Sequence, residues 1–140
     1  MVKLVFCLHR RDGMALDEFQ RYWREEHAPL VQHHAAALGI VRYVQTHTRP
    51  GPEADLLRAS RDGPEAYDGV AELWFRDTAA LIEAAASPEG MAAGAALLED
   101  ERRFIDLARS PLFLAEEHEV LGQAGGGGAP FDTETAWDEP

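Results

Sequence analysis

Two short runs, KLVFCLH (Lys3–His9) and VAELWF (Val70–Phe75), carry apolar residues at both odd and even positions. Successive side chains of a strand point to opposite faces, so such runs need cover on both sides. That requirement narrows the folds open to this chain more than any other feature. Two further runs read as strands, IVRYVQTHT (Ile40–Thr48) and PLFLAEEHEVL (Pro111–Leu121). Between the first two strands, Leu16, Phe19, Trp23, Leu30 and Leu38 recur at helical spacing, with His27 and His34 on the same stripe. Asp17 and Glu18 suit a helix start, Gly39 suits its stop, and Pro29 predicts a kink near His27 because it removes a donor and crowds the carbonyl of Glu25.

The segment RPGPEADLLRASRDGPEAYDG holds much of the proline and glycine, with one short helix at Ala54–Ala59, and reads as a lid over a ligand. DTAALIEAAAS is a helix capped by Asp77 or Thr78, broken at Pro88 and Gly90, and MAAGAALLEDERRFIDLA continues as a further helix or helix pair. The order is β-α-β-β-α-β, which predicts an α+β, ferredoxin-like domain over residues 1–121: a four-stranded antiparallel sheet with helices on one face. The other face needs a second sheet, and a homodimer with its sheets face to face supplies it. Residues 122–140, opening with GGGGAP, read as a disordered acidic tail.

Net charge is -12, which argues against nucleic acid and anionic membrane as partners. No apolar run is long enough to cross a bilayer, the N-terminus is too short for a secretory signal, and Cys7 is the one cysteine, so the cytoplasm is the expected compartment. No zinc, nucleotide or haem motif is present, and no cofactor is expected.

Glu72 is the sharpest chemical feature. It lies in the middle of an apolar strand, where burial raises a carboxylate's pKa and makes it a candidate acid or base; its structural alternative is an ion pair with a residue such as Arg42. His27, beside Trp23 and Leu30, is a candidate proton carrier, against the alternative of a satisfied core histidine. Tyr43, Gln45 and His47 alternate on one face of the second strand, and Tyr43 is placed to donate to a carbonyl or enolate oxygen. His34 falls about two helical turns beyond His27. A metal held by His27, His34 and Glu72 lacks a supporting ligand spacing, so no metal is expected. His9, His33 and His118 look peripheral, and Cys7 reads as packing.

RRDGMALDEFQRYWREEHAPLV resembles the opening of EthD-family proteins, and YDGVAELWF, SPEG and DERRFIDLARSPLFLAEEHEV resemble bacterial members. The resemblance spans Lys3 to about Leu121. It implies a dimeric α+β barrel and a scattered set of activities, from ether degradation to polyketide pathways. A relative of similar fold, methylmuconolactone methylisomerase, needs no cofactor; the resemblance places its pocket histidine at His27, its tyrosine at Tyr43 and its catalytic cysteine at Glu72. Ala15 stands where the family often has a capping serine.

The expected function is a cofactor-independent acid/base enzyme of lyase, isomerase, cyclase or decarboxylase type, acting on a small aromatic, polyketide-like or lactone metabolite. His27, Glu72 and Tyr43 would be catalytic, and Trp23, Trp74, His34, His47 and Leu30 would line the pocket. The alternatives are a cofactor-free monooxygenase and a non-catalytic ligand-binding dimer.

Overall fold

In a computed structural model that describes residues 1–122, the elements run β1 (Val2–Leu8), α1 (Leu16–Tyr22), a π turn (Trp23–His27), α2 (Ala28–Leu38), β2 (Ile40–His47), α3 (Pro52–Ala59), β3 (Gly69–Phe75), α4 (Thr78–Ala86), α5 (Pro88–Glu101) and β4 (Leu112–Ala115). The strands form one antiparallel sheet in the order β2-β3-β1-β4. This is the ferredoxin-like βαββαβ arrangement, with α3 inserted between β2 and β3.

Register sorts the side chains onto two faces, because residues paired across antiparallel strands share a face. Phe6 pairs Ala71, Leu4 pairs Leu73, and Leu73, Ala71 and Gly69 pair Tyr43, Gln45 and His47. This set lies under the helices, where Phe6, Leu8 and Ala71 pack with Phe19, Trp23, Phe104 and Ile105. Phe19, Trp23, Phe104 and Leu8 are the largest fully buried side chains, so the helix-covered face is the centre of the core. The opposite face carries Lys3, Val5 and Cys7 on β1, Val70, Glu72 and Trp74 on β3, and Arg42 and Val44 on β2.

That second face is closed further by its own chain than the apolar runs predict. Trp74 is buried, with the Arg42 guanidinium 4.4 Å and the Lys3 ammonium 5.1 Å from its ring centre. Long basic side chains lay their stems over apolar surface while the charges stay near water. Phe113, paired with Val5 on the edge, remains half exposed.

Three local outcomes differ from the expectations. The long helix contains a π turn rather than a simple kink: the amide of Ala28 reaches back five residues to the carbonyl of Trp23. Pro29 cannot donate to Glu25 one turn earlier, and the looser turn accommodates that missing bond. Gly39 ends the helix in the left-handed conformation, as expected. α4 does end before Pro88, as expected, but Pro88 opens α5 and Gly90 lies inside it rather than breaking it; Ser87 caps α5, accepting from the Gly90 amide, while Asp77 caps α4 by accepting from the Ala80 amide. β4 is four residues long instead of running to Leu121. Ala115 already pairs with Lys3, one residue from the start of β1, so little partner strand remains. Ala15 provides no side-chain cap to α1, in keeping with its lack of a hydroxyl.

α3 begins at Pro52 rather than Ala54, and all its residues are exposed. The expected acidic tail lies, but for Gly122, outside the described residues. Among those residues, no helix is long and apolar enough to cross a membrane.

Candidate functional site

The π turn is where helix and sheet chemistry meet. It carries Trp23 and His27, both buried. The His27 ring packs 5.0 Å from Phe104, and its Nδ1 lies 2.7 Å from Oδ2 of Asp100 near the end of α5. A carboxylate only accepts, so Nδ1 carries the hydrogen and Nε2 of the neutral ring keeps its lone pair. Burial lowers the His27 pKa, and the Asp100 carboxylate opposes that shift only in part. Tyr22 donates its hydroxyl hydrogen to Oδ1 of Asp100 at 2.6 Å. Burial, reinforced by that bond, pushes the Tyr22 pKa up to about 12. Asp100 is thus held from two sides, and it fixes the tautomer and orientation of His27 in the way a carboxylate supports a catalytic imidazole.

The neighbouring Glu101 has no such support. Burial, with the adjacent Asp100 charge, pushes its pKa to about 7, against the pull of Arg102. A group poised there exchanges protons readily at neutral pH.

The sheet contributes a second polar string. Gln45 Nε2 donates to the Tyr43 hydroxyl at 2.8 Å and to the Trp23 carbonyl at 3.0 Å, and Gln45 Oε1 meets His47 Nε2 at 2.8 Å. His47 stacks on Trp23, with ring centres 4.5 Å apart. Burial raises the Tyr43 pKa, with donation from Gln45 and Trp23 working the other way. Burial and the Arg24 charge together lower the His47 pKa. Gly69 makes room for this packing: a Cβ there would collide with the Trp23 ring.

The structure therefore brings four of the expected residues, His27, Tyr43, Trp23 and His47, to the helix side of the sheet. It does not bring Glu72 or Trp74 there. Both lie on the opposite face, where Glu72 is ion-paired with Lys3 at 2.8 Å. A proton shuttle between Glu72 and His27 across one cleft is ruled out by strand parity, since Glu72 has the opposite parity to Ala71 and Leu73. Lys3 on β1 and Arg42 on β2 are both paired with Trp74 and so both diagonal to Glu72; Lys3 makes the ion pair, while the Arg42 guanidinium lies over the Trp74 ring. Trp23 and Trp74 likewise cannot grip one ring from two sides. The set His27, His34 and Glu72 is not assembled, and among the described residues no cluster of His, Cys, Asp or Glu is arranged to hold a metal. His34 packs edge-on against His33 at 4.8 Å, and Leu30 is half-buried at the start of α2.

Asp100, Tyr22, Glu101 and Gln45 complete the constellation. Asp100 and Glu101 sit in an acidic helix end, LLEDERRF, where sequence spacing resembles an ordinary solvated face. A surface depression of about 390 Å³ lies at the end of α5, lined by Arg11, Asp12, Arg102, Ile105, Asp106 and Leu107, and the constellation does not line it.

The family model described as the EthD domain matches residues 11–108. The chain belongs to the EthD family. No curated protein matches it in sequence. Among solved structures it is similar to an EthD-family protein from Bacillus halodurans, with 23% identity, a TM-score of 0.56, and 84% of this chain and 99% of that one covered. It is also similar to an EthD-like protein from Ralstonia eutropha, with 16% identity, a TM-score of 0.58 and coverage of 88% and 95%. A third is SnoaB from Streptomyces nogalater, described as a cofactor-independent oxygenase, a point mutant of which aligns at 20% identity and a TM-score of 0.51 over 87% and 97% of the chains. At these identities the likenesses establish the fold of this EthD protein.

Proposed function

We propose that this EthD protein is a cofactor-independent enzyme in which His27 removes a proton next to a carbonyl of a small aromatic or lactone-like metabolite. The supporting observation is the 2.7 Å contact between His27 Nδ1 and Asp100 Oδ2. It leaves Nε2 as a base whose protonated form Asp100 stabilises. Tyr43 donates to the oxygen on which negative charge develops, and His47, backed by Trp23, stacks against the ring. His47 ends β2, where the exposed 49–67 connection begins, so that connection is the gate through which a metabolite reaches the site. Lyase, isomerase, cyclase and decarboxylase reactions all begin from such a carbanion or enolate. The protein acts as a homodimer through the sheet face that bears Val5, Val44 and Phe113.

A second reading is supported by the likeness to SnoaB: the same proton removal yields an electron-rich carbanion, and molecular oxygen then reacts with it directly. The two readings share His27 and differ in oxygen consumption.

Deuterium exchange tests both. An anthrone, an aromatic ketone and a γ-lactone are incubated with the protein in D2O, and loss of the proton α to the carbonyl is followed by NMR while an electrode records oxygen. Exchange accelerated for at least one probe, and lowered about 10²–10⁴-fold by His27→Asn, is expected. Accelerated exchange that survives His27→Asn unchanged, or no acceleration with any probe, overturns the assignment. Oxygen uptake matching turnover selects the second reading.

A further inference from the structure

Gln45 lies between Tyr43 and His47 on β2, half-buried, with both amide hydrogens and the amide oxygen engaged. The Trp23 backbone carbonyl can only accept, so the side of the Gln45 amide facing it must be the NH2 group. That choice turns Oε1 toward His47. An amide oxygen only accepts, so neutral His47 carries its hydrogen on Nε2 and keeps its lone pair on Nδ1. The same NH2 group donates to the Tyr43 oxygen, which leaves the Tyr43 hydroxyl hydrogen free for another acceptor. The anchor for all three bonds is the π turn, whose Trp23 carbonyl receives both the Ala28 amide and Gln45.

We propose that Gln45 is a positioning residue that sets Tyr43 as a hydrogen-bond donor and His47 as the Nε2-protonated tautomer, so that the site takes a ligand presenting an anionic or carbonyl oxygen to Tyr43. The part concerning the ligand rests on the enzyme reading above; the part concerning the two side chains rests on geometry alone. His27 and His47 then hold opposite tautomers on one face of the sheet, Nδ1–H in the first and Nε2–H in the second.

The test is 15N NMR of histidine-labelled full-length protein without ligand, at a pH where both rings are neutral. His27 is expected to show the Nδ1–H pattern and His47 the Nε2–H pattern. Gln45→Glu keeps an acceptor for His47 and loses both donors, so the His47 pattern is expected to persist. Gln45→Leu removes the acceptor, and the His47 signals are expected to move toward a mixture of tautomers. A wild-type His47 with Nδ1–H, or a Gln45→Leu variant with unchanged His47 signals, overturns the proposal. In the exchange assay both variants are expected to lose 10–100-fold in kcat with KM changed less than threefold; unchanged kcat overturns the Tyr43 part. Absence of exchange in the wild-type protein, with the tautomers as expected, overturns the enzyme reading and leaves the positioning by Gln45 standing.

Discussion

At the scale of single residues, the site turns on which oxygen faces which nitrogen. Asp100 serves two partners at once, Tyr22 at 2.6 Å and His27 at 2.7 Å. Removing it leaves a half-buried hydroxyl and a buried imidazole unpaired, and an unpaired buried polar group costs about 1–3 kcal/mol. Asp100→Ala is therefore expected to destabilise the chain by about 2 kcal/mol in urea unfolding. It also removes the charge that opposes the effect of burial on His27, so the His27 pKa, followed by NMR titration, is expected to fall further. The linked stability effect has a definite sign. A folded-state His27 pKa below its ordinary value of 6.5 means that the unfolded chain binds the proton first, so His27 costs stability as pH falls below about 6.5 and costs nothing above it. With the pKa depressed further in Asp100→Ala, the acid loss is expected to steepen. An unchanged His27 titration in that variant would contradict the pairing.

At the scale of elements, the junction between the π turn and β3 is the tightest point. The Trp23 indole reaches Gly69 where that residue has no side chain, and a Cβ there would strike the ring at Cζ3 and Cη2 and approach the Thr46 carbonyl at 3.1 Å. Neither neighbour yields easily, because Trp23 is held between His47 and Phe19. Gly69→Ala is expected to cost about 1–3 kcal/mol as an overpacking change, and the displaced indole should show in the near-ultraviolet circular dichroism. A fully stable Gly69→Ala protein with an unchanged aromatic spectrum would mean that the added Cβ is accommodated without displacing the ring, against the overpacking argument. Pro29 has a parallel place: it withholds one donor, and the chain absorbs the loss by widening a turn that carries His27.

At the scale of the whole molecule, the sheet divides two kinds of polar chemistry. The helix side holds a hydrogen-bonded constellation around His27 and Tyr43. The far side holds an ion-pair group, with Lys3 reaching Glu72 at 2.8 Å and Glu117 at 3.2 Å, while Glu117 also accepts from Trp74 Nε1 at 3.1 Å. Around that group half-buried Val44 and half-exposed Phe113 offer an apolar surface for a second copy. Native mass spectrometry of the full chain is expected to give twice the chain mass, and Phe113→Glu, which buries a carboxylate in that contact, is expected to shift the protein toward the monomer. A monomeric wild-type protein would remove the dimer from the proposal without touching the His27 site.

Strand alternation, helical spacing and glycine and proline placement were enough to read the order βαββαβ, the helix stop at Gly39, a cap at Asp77 or Thr78 and the disturbance at Pro29, because each depends on neighbours a few residues apart in the chain. The pairing of Tyr43, Gln45 and His47 on one face was legible for the same reason. Only the tertiary structure decided that Glu72 faces away from His27 and that Asp100 stands in its place. Periodicity says which residues share a face but not which face the helices cover. An acidic pair at a helix end looks the same in sequence whether it meets water or, as here, a buried imidazole brought from 73 positions away by the packing of α5 against α2.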